Sequence, residues 1–131
     1  MDVKDGLVPG TRAEVEFIVM EAMCPAFEGL VVHRVCSTWE LVHYMEVAGR
    51  KVLVDHLGPH EEGVGSHASC DHTGPAAVGE RVRVVATAIE VSARELVCDC
   101  AAFCGDRRIA TGRTVQKVFP RDVLERILGR S

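Results

Sequence analysis

The stretch that decides the fold is Ser37–Thr38–Trp39–Glu40–Leu41–Val42–His43–Tyr44–Met45–Glu46–Val47–Ala48–Gly49–Arg50. Leu41, Met45, Ala48 and Val52 recur at i, i+4, i+7 and i+11, the apolar stripe of a helix lying on a core. Ser37 or Thr38 stands where an N-cap is wanted, with a hydroxyl that can accept from the first free backbone amides. Gly58–Pro59 stops the pattern, so the periodicity predicts one helix from about Thr38 to about Leu57. At about 20 residues and about 30 Å, it is long enough to cross a small sheet. At about 100° per residue, Thr38, Val42, Glu46, Gly49 and Leu53 form a second line beside the stripe. Glu46 thus belongs to the margin of a buried face rather than to the plainly solvated one.

Working outward, residues 1–11 are a polar lead closed by Pro9–Gly10. Residues 12–20 alternate, with Val15, Phe17 and Val19 on one side, as in a half-buried strand. Met23–Gly29 interrupts with Pro25 and Gly29, and Leu30–Val35 is a short apolar segment, either a lid or a strand-like lead into the helix. Four strands are predicted beyond the helix: Val64–His72, Arg81–Val91, Leu96–Cys104 and Arg107–Val118. Gly105–Asp106 is a two-residue hairpin turn, with glycine supplying the positive φ of type II′. Pro120–Gly129 reads as a short terminal helix, with Pro at its start, an early Asp122, a late Arg126 and a closing glycine.

Composition bounds what such a chain can do. Its 131 residues are enough for one domain, 1–131, with a real core. With 26% charged residues and a net charge of −4, it has no basic surface for nucleic acid, and its few aromatics argue against base stacking. Met1–Asp5 lacks the apolar core of a signal peptide, and no run reaches transmembrane length, so no membrane partner and a cytoplasmic location are expected. In a reducing compartment the six cysteines are expected as free thiols.

The order is strand, long helix, four hairpin-linked strands, short helix. An antiparallel sheet wrapped around one central helix satisfies it with short connections. That is an α+β architecture, the hotdog fold. Its unpaired edge strands lead us to expect a homodimer, or a tetramer of such dimers.

Three positions carry chemistry: Thr38, Glu46 and His72, a hydroxyl, a carboxylate and an imidazole. Ser37–Thr38 through Met45–Glu46, then Gly65, His72–Thr73, Pro75 and Val78–Gly79 resemble the fluoroacetyl-CoA thioesterase family of hotdog hydrolases. The Thr-to-Glu and Glu-to-His steps fit that family's pattern without a gap, over roughly residues 12–119. The resemblance implies hydrolysis of an acyl-CoA thioester, Thr38, Glu46 and His72 as the catalytic set, and Gly65 lining the acyl site. No metal or redox cofactor is expected, coenzyme A entering only as part of the substrate. Glu46 would act as general base on water or attack directly to form a mixed anhydride, and His72 would orient Glu46 or protonate the departing thiolate.

The chain departs from the family pattern at two places, both assigned to substrate binding. Gln116 stands where the pattern has an arginine near the end of the last strand. Val32 belongs to a short Leu30–Val31–Val32 segment where the pattern has an aromatic-rich lid. Fluoroacetyl specificity is therefore not assigned, and a small or medium non-fluorinated acyl group is expected.

Blander readings stand beside these. Thr38 is a simple N-cap, Glu46 pairs with Arg50 at i+4 on the helix surface, and His72 is a strand-end histidine. Asp55, His56, His60, Glu61, Glu62, His67, Cys70, Asp71 and His72 crowd together as metal ligands would, but His67 and His72 fall on opposite strand faces. Cys98, Cys100 and Cys104 share a face and read as packed thiols. Arg81, Arg83, Arg107, Arg108, Arg113 and Lys117 include a phosphate clamp or are strand-surface charges. A hydratase would want its Asp and His earlier than Asp55–His56. The functional alternative is a non-catalytic acyl-CoA-binding hotdog domain.

Overall fold

The computed structural model describes residues 6–129. The leader reading of Met1–Asp5 lies outside them. In chain order the elements are β1 (Arg12–Ile18), a 3₁₀ turn (Glu21–Met23), β2 (Ala26–Phe27), β3 (Leu30–Val31), α1 (Thr38–Val54), β4 (Glu61–His72), β5 (Arg81–Val91), β6 (Glu95–Cys104), β7 (Arg107–Pro120) and α2 (Arg121–Ile127). The five long strands form one antiparallel sheet in the order β1-β5-β6-β7-β4. Helix α1 lies across one face and touches all five.

The predicted stripe is the core. Leu41, Met45 and Ala48 are fully buried and Val52 nearly so. They meet Val82, Val84, Ala86 and Ala88 of β5 and the row Leu96, Cys98, Cys100, Ala102 and Cys104 of β6, which share one buried cluster with them. Each large side chain in this layer contributes roughly 1.5–3 kcal/mol by leaving water. The helix packs tightly over β7. A Cβ on Gly112 would lie 2.1 Å from the Ser69 carbonyl oxygen and 2.8 Å from Met45 Sδ, and one on Gly49 would lie 2.9 Å from Thr114 Oγ1. Glycine at both positions sets the spacing of helix and sheet.

Several boundaries differ from the sequence reading, two of them for visible reasons. The helix ends at Val54 rather than near Leu57, because His56 N–H donates to Leu53 and Leu57 N–H to Val54, tightening the chain into i→i−3 bonds before Gly58–Pro59. Strand β4 starts at Glu61, three residues earlier than predicted, because Glu61–Gly63 pair with Pro120–Val118 of a longer β7. The first strand closes at Ile18, and α2 is confined to Arg121–Ile127, with Gly129 at φ +72° behind it.

Leu30–Val35 is no continuous strand. Leu30–Val31 pairs back on Ala26–Phe27 through Glu28 (φ +51°) and Gly29 (φ +85°), two left-handed residues as a type I′ turn requires. The β6–β7 turn has positive φ at Gly105 alone, as type II′ does. Strands β1 and β4 are the sheet's two edges.

Candidate active site

Two groups of side chains are built along α1. At its start, Ser37 is the N-cap, its hydroxyl accepting from Glu40 N–H at 3.3 Å. That leaves Thr38 as the first helical residue with its own hydroxyl unspent. Thr38 Oγ1 lies 3.0 Å from His72 Nδ1, a hydrogen bond between the helix start and the end of β4. The pattern Ser37-x-x-Glu40 is a capping-box signature that could have singled out Ser37 over Thr38 in the sequence.

His72 reaches the helix because β4 is irregular. Cβ positions at Gly63 and Gly65 point at α1, toward Leu53 and toward Glu46. In an unbroken strand, Gly65 and His72 would face opposite ways, being an odd number of residues apart. Gly65 pairs with Gln116 and His67 with Val115, so Ser66 is an extra residue, a β-bulge. Beyond it the parity is reversed: Ala68, Cys70 and His72 are half-buried, while His67, Ser69 and Asp71 are exposed. No signal in the sequence analysis marked Ser66, and it is what puts Gly65 and His72 on one side.

The second group surrounds Glu46. Its side chain enters a cavity of about 340 Å³ between α1 and the β4–β7 edge, lined also by His43, Arg50, Gly63, Gly65 and Gln116. Glu46 is exposed as a residue, so the expected margin position is a cavity wall open to solvent. A Cβ on Gly65 would stand 3.0 Å from Glu46 Oε2. Glycine there lets the carboxylate lie against the strand backbone. Gln116 is nearly buried and donates from Nε2 to the Gly49 carbonyl at 2.9 Å. Val32 is half exposed, just past the end of β3, where its N–H donates to the Pro25 carbonyl at 2.9 Å, and it does not line this cavity.

The surface-pair reading of Glu46 fails. Arg50 bonds Glu62, not Glu46, and Glu62 also receives Arg121 at 3.0 Å. The hydrogen bond from Arg50 holds the Glu62 carboxyl below its ordinary value. Among the described residues Glu46 has no hydrogen-bond or ion-pair partner. A carboxylate whose oxygens are not taken up by a partner, at the wall of a cavity, has lone pairs open to a water molecule.

Thr38 and Glu46 are eight residues apart, about 12 Å along the helix axis at 1.5 Å per residue. One chain thus gathers Thr38 with His72, and Glu46 with Gly65 and Gln116, as two clusters rather than one.

Other candidates separate. Among the described residues no three of the His, Cys, Asp and Glu side chains converge as metal ligands. The six thiols are free, and five of them buried. Burial pushes Cys36 and Cys98 up to about 12 and Cys100 up to about 11, which removes them as nucleophiles near neutral pH. Of the clamp candidates, Arg81 pairs with Glu16, Arg83 with Glu14, Arg107 with Glu80, Arg113 with Asp99 and Lys117 with Glu95, as surface charges do.

The chain is similar to known proteins in sequence and in fold. The family described as fluoroacetyl-CoA-specific thioesterase matches residues 19–122. A hypothetical protein of Thermus thermophilus, described as a thioesterase superfamily member, is 34% identical, with a TM-score of 0.91 over 96% of this chain and 93% of that one. A point variant of the fluoroacetyl-CoA-specific thioesterase FlK superposes with a TM-score of 0.85 at 24% identity, over 97% and 98% of the two chains. A hot-dog-like protein from Thermanaerovibrio acidaminovorans gives 0.84 at 21% identity, over 92% and 89%. A search of curated proteins found no match. No helix among the described residues is long and apolar enough to cross a membrane. With residues 19–122 matched and the sheet-wrapped helix in place, the chain belongs to the fluoroacetyl-CoA-specific thioesterase family and is a hotdog-fold thioester hydrolase.

Proposed function

We propose that the protein hydrolyses a small or medium acyl-CoA, as a cytoplasmic homodimer needing no metal or redox cofactor, with Thr38, Glu46 and His72 as its catalytic set. The observation that carries this reading is the Thr38–His72 hydrogen bond at the start of α1, on the same helix as an unpartnered Glu46. Glu46 removes a proton from water while the oxygen attacks the thioester carbonyl. The oxyanion is met by the Thr38 hydroxyl and the unpaired amides of the first turn, at the positive end of the helix dipole. The C–S bond then breaks, and His72 delivers a proton to the departing thiolate, leaving free acid and coenzyme A.

Gly65 and Gln116 line the acyl cavity with Glu46, while Val32 lies outside it. The 12 Å step between the two clusters supports a dimer, since a second copy paired along the open β4 edge would bring Glu46 of one subunit toward the helix start of the other. The test is to offer the purified protein a panel of acyl-CoAs with a thiol-reactive dye reporting coenzyme A. Release from at least one short or medium member is expected. Binding of acyl-CoA with no release from any would replace this reading with the non-catalytic binding domain.

A further inference from the structure

The Glu46 cavity holds a second charged group that the proposed chemistry leaves unused. Arg50 lies one helical turn beyond Glu46 and lines the same cavity. Its guanidinium is anchored from outside, Nη1 to Glu62, and it remains 42% exposed. Among the described residues that is its one side-chain partner, so Nε and Nη2 have none. Glu62 in turn keeps Arg121 and the Gly63 amide, so it does not depend on Arg50 alone. Two arginines share one carboxylate, and the local trio carries one positive charge in excess.

Between Glu46 and Arg50 the wall is made of Gly63 and Gly65, which add no side chain. A Cβ on Gly63 would stand 2.6 Å from Leu53 Cδ2 and 3.5 Å from Arg50 Nη1, so that wall stays bare. Gln116 spends one amide N–H on the Gly49 carbonyl, its Oε1 offers only an acceptor, and it brings no charge to this end. Arg50 is thus the strong donor left at this end. A hydrocarbon tail ending there would strip water from the guanidinium and return nothing. A carboxylate would take a fixed, planar, charge-assisted pair of N–H groups. The step from Glu46 to Arg50 is about 6 Å along the axis, within the length of a four- to five-carbon chain.

Resting on the thioesterase reading above, we infer that Arg50 is a specificity-determining residue and that the preferred substrate is a short acyl-CoA whose acyl group ends in a carboxylate. The thioester carbonyl lies at Glu46 and the distal carboxylate at Arg50. Glu46 does not cancel this, because it stands a full turn away while the guanidinium meets the carboxylate directly.

The test compares glutaryl-CoA with valeryl-CoA, equal in chain length and differing only at the far end, on the full chain. A kcat/KM at least tenfold higher for glutaryl-CoA is expected, expressed chiefly in KM. Arg50→Ala lowers kcat/KM for glutaryl-CoA at least tenfold more than for valeryl-CoA, and Arg50→Lys restores part of the difference. A general loss of packing would lower both substrates together, and that result also counts against the inference. Circular dichroism of the variants checks folding, with Arg50→Gln as the closer replacement if Arg50→Ala misfolds. Hydrolysis of valeryl-CoA equal to or faster than glutaryl-CoA overturns the carboxylate preference while thioester hydrolysis stands. Hydrolysis of neither, nor of any acyl-CoA in the panel, overturns both.

Discussion

The two clusters on α1 are prepared in opposite ways. At the helix start the side chains are tied: Ser37 caps the backbone, and Thr38 is bonded to His72 across to the sheet. Eight residues on, the Glu46 side chain has no hydrogen-bond or ion-pair partner among the described residues, and the glycine wall beside it removes obstacles instead of adding contacts. The first cluster is held by hydrogen bonds and the second by space. A donor that must sit at a developing charge benefits from being fixed beforehand. A base that must accept a proton loses strength if another cation already holds its lone pairs.

Substitutions can break this contrast, and the largest effect is expected at the loose end. Glu46→Ala should lower kcat about 10³-fold and leave stability within about 0.5 kcal/mol, since no contact is lost; steady-state kinetics beside thermal melting measures both. Full activity would remove Glu46 from the mechanism. At the tied end His72→Ala should cost about 10²-fold in kcat and also lower the melting temperature slightly, because a hydrogen bond goes with it.

A subtler change sharpens the comparison. Gly65→Ala should cost roughly tenfold in kcat/KM with little change in melting, because the new methyl displaces only the flexible end of Glu46. Equal loss of stability and activity would mean that the wall serves packing. The smallest effect is that of Ser37→Ala, about 1 kcal/mol by denaturant unfolding, with a modest fall in turnover as Thr38 turns to capping.

The fold was readable because its signals are periodic. The stripe Leu41–Met45–Ala48–Val52 and the alternation of β5 and β6 each repeat several times, so single errors of one residue do not matter. Boundaries were missed where the cause is tertiary, as at Glu61, whose pairing depends on the length of β7. Thr38, Glu46 and His72 were legible as residue types at particular spacings. Arg50 was visible only as a possible partner of Glu46, because its true partner, Glu62, comes from a strand whose start was read three residues late.

The extra residue at Ser66 has a consequence for how this sequence tolerates length changes. The count of residues from Glu46 to His72 is meaningful only with one of them left out of the ladder. Deleting a single residue between Gly65 and His67 would preserve every hydrophobic position and every charge in the chain. It would also leave Gly65 and His72 six residues apart, an even number, so in the regularised strand His72 would still face the helix start. What the site cannot accept is Ser66 joining the ladder, which would turn Asp71 toward the helix start and His72 toward solvent, setting a carboxylate beside Thr38 where an imidazole had been.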